Sequence, residues 1–252
     1  MNVLAKLQPI LSGQRYGLAL AKNQDEVALA QALRYEVFNR ELREGLATSD
    51  EQQRDVDAFD QVCDHLLVRD LHSKQVVGTY RMQTGTVAQR HLGYYCAQEF
   101  ALDVFEPYQS ETVELGRACI AKEHRNFHVL SMLWRGIASY AQANGARYLI
   151  GCSSLTSQQP EDGIAAYRLM QANLAPPEFH THAHASHTCT ANEAFLPTIK
   201  LPKLLSAYLS LGAWICGPPA IDREFKTIDF LTLMDLQSKS MQLRRQRFGI
   251  TI

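Results

Sequence analysis

Residues 113–120, VELGRACI, set a glutamate, a glycine and an arginine inside an otherwise apolar, β-prone run. A regular strand alternates faces with period two, which would send Glu114 and Arg117 to opposite sides. One extra residue at Gly116 changes that, because a bulge shifts the register and turns positions three apart to the same side. The stretch therefore predicts a kinked central strand that presents a carboxylate and a guanidinium near one spot.

The neighbouring segments suggest what surrounds that strand. Upstream, HLLVRD (65–70) and VVGTYRM (76–82), parted by LHSKQ, read as a hairpin. Before them RYGLALA (15–21) is an opening strand, and NQDE (23–26) offers Asn23 and Glu26 as a capping box. The helix that follows is expected to run to about Glu44 and stop at Gly45, with Val27, Ala30, Leu33, Val37 and Phe38 on one stripe. Arg34, one turn before Phe38, is an odd neighbour for that stripe. The acidic stretch TSDEQQRDVDAFD (48–60) reads as a loop. Downstream, residues 127–145 form an amphipathic helix with Val129, Leu130, Leu133, Trp134, Ile137 and Tyr140 on one face and Gly145 at its end. A strand at 147–153, helices at 161–172 and 202–211, and strands near 213–216 and 227–236 complete the order. Hairpins combined with a strand–helix–strand crossover imply an α/β chain, a mixed sheet covered by helices.

Composition sets bounds on function. The chain has 252 residues, 46% hydrophobic and 20% charged, enough for a large core, and no linker or repeat divides it. A single domain over 1–252 is expected, ending in a basic tail (237–252) with Lys239, Arg244, Arg245 and Arg247. That tail reads as a solvated segment or as a contact with an anionic membrane surface. A net charge of −1 argues against bulk nucleic-acid binding. Six scattered cysteines without a CxxC read as reduced thiols in a cytoplasmic protein, and no secretory leader is visible. The uncharged run between Lys203 and Asp222 holds Gly212, Gly217, Pro218 and Pro219, so it reads as a buried helix and strand, not a membrane span.

Arg34, Arg81, Glu114 and Arg117, with Asp57 and Asp60 from the acidic stretch, are charges in apolar surroundings, with arginine in excess. Buried charges persist only when paired and hydrogen-bonded. LRYEVFNREL (33–42), DVDAFD (55–60), DHLLVRD (64–70), VVGTYRM, EF (99–100) and VELGRACI, in that order and spacing, resemble the GNAT-fold acyltransferases that use acyl carrier protein. Within that group they are most similar to the hemolysin-like ornithine N-acyltransferases of bacterial ornithine-lipid synthesis, with acyl-homoserine-lactone synthases as more distant relatives. The resemblance covers roughly 15–236 and implies a GNAT fold with a bulged fourth strand. It implies that Arg34, Phe38, Asp57, Asp60, Arg81, Glu114 and Arg117 match the positions forming the amine-substrate site of the lactone synthases. It further implies transfer of a 3-hydroxyacyl chain from acyl carrier protein to the α-amine of ornithine, at or near the inner membrane surface, with no bound cofactor beyond the donor's phosphopantetheine.

Members that use acetyl-CoA carry a glycine-rich loop before the third helix to cradle a pyrophosphate. Here AKEHRNFH (121–128) has no glycine, which favours the single phosphodiester of a carrier protein, with Lys122 and Arg125 supplying charge. An acidic carrier would dock on Lys122, Arg125 and Arg135. Glu114 is expected either to take the amine proton or to bind the substrate ammonium, and contact with Arg117 would lower its pKa. Arg34 or Arg81 would hold the substrate carboxylate. Tyr167 is a candidate to protonate the departing thiol, or a packing residue. His180, His182 and His184, at every second position with His187 and Cys189 nearby, would share one face of an extended segment, read as a solvated loop or a metal ligand set. Other acceptors (glycine, lysine, a homoserine-lactone-type signal) or a non-catalytic lipid binder remain open alternatives.

Overall fold

The computed structural model describes residues 15–239 and 241–242. Arg244, Arg245 and Arg247 of the basic tail lie outside the described residues. Among the described residues eight strands form one mixed sheet. The elements in chain order are β1 (Tyr16–Leu20), α1 (Gln24–Tyr35), α2 (Ser49–Gln52), β2 (Asp64–Asp70), β3 (Val76–Thr84), α3 (Gly85–Arg90), β4 (Thr112–Ile120) and α4 (Phe127–Ala143). They continue with β5 (Tyr148–Leu155), α5 (Pro160–Leu169), α6 (Lys203–Leu211), β6 (Trp214–Ile215), β7 (Ala220–Asp222) and β8 (Thr227–Asp235). Strands β1 to β4 form an antiparallel meander, β4 and β5 run parallel, and β8 pairs antiparallel with β5, β6 and β7.

The local chemistry of α1 follows the expectation at its start and departs from it at its end. Asn23 Oδ1 accepts the Glu26 N–H, but Glu26 returns to the Lys22 N–H, one residue earlier than a capping box requires. After Tyr35 the helix widens into a π-helical turn over Glu36–Glu41, so it ends short of Glu44. The acidic stretch is not a plain loop. It holds α2 and a 3-10 turn, Ala58–Gln61, capped by Asp57, whose Oδ1 accepts the Phe59 N–H at 2.9 Å while Asp60 Oδ2 accepts the Asp57 N–H at 3.3 Å. The short α3 and β7 add two elements that the sequence pattern does not announce.

The larger core lies between α4 and one face of the sheet. Val129, Leu133, Trp134 and Ile137 pack on Leu66, Val68, Tyr80 and Met82. Truncating one such leucine costs about 2–5 kcal/mol, so this face anchors the fold.

The bulge is present in β4, one residue later than expected. Arg81 faces Gly116 and Thr79 faces Cys119, so three steps on β4 oppose two on β3. The residue that takes the left-handed conformation is Arg117, at φ 52°, not Gly116. Packing shows the register change directly: Val113 and Leu115 join the α4 core before the bulge, and Ala118 and Ile120 after it, a switch from odd to even positions. Glu114 and Arg117 thus share the opposite face.

Candidate active site

Strands β4 and β5 are in register for three residues only, Thr112 to Glu114 against Tyr148 to Ile150, and then part. Gly151 stands at the point of divergence, where a Cβ would lie 2.2 Å from the Leu115 carbonyl oxygen. Beyond it a cavity of about 490 Å³ passes through the sheet. On the α4 and α6 side its walls are apolar, with Met82, Leu115, Leu133, Trp134, Leu205 and Tyr208. The other side carries charge: Arg81, Glu114, Arg117, Asp222 and Asp229. A Cβ at Gly116 would meet nothing within 4 Å, so the glycine leaves the cavity floor open.

Behind the charged wall three arginines and three aspartates form a closed network. Arg34 lies 2.8 Å from Asp55 through Nε, donates from Nη1 and Nη2 to the two Asp60 oxygens at 3.0 and 2.7 Å, and reaches the Asp55 carbonyl. Gln31 adds a bond to Asp60 at 3.0 Å. Arg81 Nη1 bridges Asp57 at 2.5 Å and Asp60 at 3.0 Å, and Arg117 bridges Asp55 and Asp57 at 3.1 Å each. Burial opposes the charge on Asp60, but Arg34 and Arg81 overcome it and hold the carboxyl well below the usual carboxylate range. The arginine planes are stacked as well: Arg81 lies over Phe59 and Tyr95 at 5.5 and 5.3 Å, and Arg117 over Tyr95 and Phe225 at 4.7 and 4.4 Å.

This arrangement corrects several expectations. The expected excess of arginine is absent: Arg34, Arg81 and Arg117 are matched by Asp55, Asp57 and Asp60, with Glu114 in addition. Arg34 is 0% exposed and does not line the cavity; it pairs with Asp55 and Asp60 behind the wall. Asp57 and Asp60 also stand behind the wall, where they cap the 3-10 turn and seat Arg81 and Arg117. Phe38, Arg81, Glu114 and Arg117 do line the cavity, and Phe38 packs edge-on to Phe225 at 5.2 Å. The expected Glu114–Arg117 contact is replaced by other partners. Glu114 accepts from Gln83 Nε2 at 2.6 Å and from the Tyr95 and Cys96 N–H groups at 2.8 Å each.

The remaining candidates fall outside this centre. Tyr167 packs in a separate apolar cluster with Ala166, Met170 and Leu205 and does not line the cavity. Arg125 reaches the cavity rim but is held by Glu41 through a two-point pair at 2.6 and 2.7 Å. Lys122 is exposed nearby, outside the lining. His180, His182 and His184 share the outward face of an irregular segment, as their spacing predicts; His180 and His184 bond the Ala175 and Ala97 carbonyls. The six cysteines are free.

Sequence reasoning missed a second group of acids. Glu99 follows the 3-10 turn Tyr95–Gln98, and Asp229 sits in β8, every residue of which is buried. One ligand atom each of Glu99, Cys152 and Asp229 lie within 4.8 Å of one another. Glu99 Oε2 and Asp229 Oδ1 have no hydrogen-bond partner among the described residues. Burial, helped by the proximity of Asp229, pushes Glu99 strongly up, and burial pushes Asp229 up as well. Glu44, raised by burial, and Asp222, which caps the turn at Glu224 and Phe225, flank the pair on the cavity wall. The signal for Asp229 was available in TIDFLTLMDL, an acid inside an apolar strand; Glu99 lies in irregular chain with no periodicity to mark it.

The family model for the acetyltransferase (GNAT) domain matches residues 33–135. The L-ornithine N(alpha)-acyltransferase of Rhizobium meliloti (strain 1021) is 33% identical over 233 residues, 86% of this chain and 79% of that protein. The protein of the same name from Agrobacterium fabrum (strain C58 / ATCC 33970) is 33% identical over 241 residues, 87% of this chain and 80% of its own. Among solved structures the AHL synthase LasI shares 14% identity at a TM-score of 0.53, over 95% of this chain and 98% of its own, a likeness of fold.

Proposed function

The chain belongs to the L-ornithine N(alpha)-acyltransferase family, and on that premise we propose that the divided cavity joins the α-amine of ornithine to a 3-hydroxyacyl chain delivered as a thioester by acyl carrier protein. The observation that carries this reading is the passage between β4 and β5, apolar on one side of the sheet and charged on the other. The fatty chain lies along Met82, Leu133, Trp134 and Tyr208, and the amino acid approaches from the side of Glu114 and Arg117. The thioester carbonyl then sits in the gap itself.

In the reaction the amine nitrogen forms a bond to the thioester carbon and the carbon–sulfur bond breaks. The carrier's thiol departs and the amine gives up a proton. An α-amino group has an ordinary pKa of about 8, so the proton acceptor need only be modest. Glu114 takes that role, held in position by Gln83 and the Tyr95 and Cys96 N–H groups. Arg117 and Arg81, stacked on Tyr95 and fixed by the aspartates behind them, attract the substrate carboxylate. A carrier-protein donor is supported by the lack of glycine at 121–128 and by Lys122 and Arg125 near the rim. The acylated product is amphiphilic, which suits release at a membrane surface; no helix of the described residues is long and apolar enough to cross one.

The test incubates purified protein with 3-hydroxyacyl carrier protein and a panel of amino acids, and reads amides by mass spectrometry. We expect an ornithine amide, formed faster from the carrier thioester than from the matching CoA thioester. In Glu114→Gln we expect kcat to fall about 10²-fold or more. Thioester hydrolysis with every amino acid inert would remove the reading.

A further inference from the structure

We infer that Asp229, with Glu99 packed directly behind it, forms the pocket for the side-chain ammonium of a diamino-acid acceptor, and so sets acceptor specificity. This rests on the reading above, to which it adds the residues that distinguish ornithine from a neutral amino acid.

The argument starts from charge. Arg34, Arg81 and Arg117 are matched by Asp55, Asp57 and Asp60. Glu99 and Asp229, by contrast, take part in no ion pair among the described residues, although they are 2% and 4% exposed. A buried carboxylate without a partner is costly unless something else supplies the opposite charge. Asp229 faces the cavity, and Glu99 lies behind it outside the lining, close enough for the two carboxyls to share a proton. Glu99 Oε2 and Asp229 Oδ1 accept no bond from a cationic side chain among the described residues.

The spacing suits one ammonium. Ligand oxygens within 4.8 Å of one another can both be reached by a single nitrogen at ~2.9 Å from each. Burial and mutual proximity disfavour the ionised forms of both acids, and an arriving ammonium supplies the positive charge that offsets this. Along β5 the pair is also at a suitable distance from the reaction centre. Ile150 is the cross-strand neighbour of Glu114, and Cys152, whose thiol is 3.9 Å from Glu99, lies two residues further along. Two residues of strand span ~7 Å, comparable to a three-carbon side chain with its terminal nitrogen. An acceptor with its α-amine at Glu114 therefore brings its second amine to Asp229, in front of Glu99.

The experiment compares ornithine with norvaline, which has the same carbon chain but no terminal amine, at saturating acyl carrier protein. In the wild type we expect kcat/KM for ornithine to exceed that for norvaline at least tenfold. In Asp229→Asn, which removes the carboxylate at the cavity, and in Glu99→Leu, which removes the acid behind it, we expect that ratio to fall at least tenfold, chiefly through KM for ornithine. A wild type that does not discriminate would overturn the inference without any variant. So would variants whose ratio is unchanged while both acceptors slow together. Stabilisation of the wild type by Zn²⁺, lost in both variants and not reproduced by ornithine, would assign the pair to a metal instead. If the wild type acylates no amino acid, the proposed function itself fails; if it acylates ornithine but the ratio resists substitution, only this inference does.

Discussion

Two groups of buried charge lie on the same face of the sheet, and they are built differently. Around Arg34, Arg81 and Arg117 each guanidinium meets a carboxylate, and Asp60 is held ionised against its own burial. Around Glu99 and Asp229 no cation forms a direct ion pair among the described residues, the nearby Arg117 does not offset their burial, and both carboxyls are pushed toward their neutral forms. The first group is charge-balanced within the protein, its arginines held ready at the cavity; the second is not. Complete networks hold a wall in place, while an incomplete one marks where something must arrive.

The comparison is tested most severely at Arg34. Replacing it by alanine leaves Asp55 and Asp60 buried without their main partner, a cost of about 3–5 kcal/mol and a loss of roughly 10 °C in Tm. A urea unfolding midpoint close to wild type would mean that the network is slack and that the contrast drawn here is unfounded.

A smaller effect is expected at the boundary between the two regions. Gly151→Ala puts a methyl group against the Leu115 carbonyl, and the strands must separate to admit it. The expected destabilisation is about 1–3 kcal/mol, read by chemical denaturation, with acyl transfer falling by more than the loss of folded protein accounts for. Unchanged stability would show that the strands already have room at that point.

The smallest effect has the opposite sign. Burial and the nearby Asp229 charge raise the folded-state pKa of Glu99 well above its unfolded value of about 4.3. Between those values the folded chain binds more protons than the unfolded one, so stability falls as pH rises. Glu99→Gln should remove that penalty and raise Tm by about 2 °C or more at pH 8, the gain shrinking toward pH 5. Asp60, depressed in the folded state, behaves the other way: its contribution is present above about pH 4 and is lost on acidification. A variant less stable than wild type at pH 8 would show that Glu99 is already satisfied within the protein.

Much of this arrangement is legible in the chain, and where it is not the reason is physical. Strand order and helix positions follow from hydrophobic periodicity, and a charge beside a glycine in VELGRACI announces the bulge. Its location slips by one residue because Arg117, held by two aspartates and two aromatic rings, adopts a backbone conformation that glycine would ordinarily supply. Arg34 was visible as an anomaly on an apolar helix face, but whether it faces substrate or structure depends on Asp55 and Asp60, 21 and 26 residues away. Asp229 carries the same signature as Glu114, an acid in an apolar strand. Glu99 and Tyr95 have no such signature, because short 3-10 turns impose no repeat on their side chains.

The parting of β4 from β5 has a consequence for motion as well as for chemistry. Only three residues of ladder join the meander of β1 to β4 to the block of β5 to β8. Amide protons near the junction should therefore exchange with solvent sooner than those inside either block, with two cooperative units opening at different free energies. A hinge at that seam is where the sheet yields most easily and, on the function proposed above, it is also where a long acyl tail would withdraw once its amide has formed.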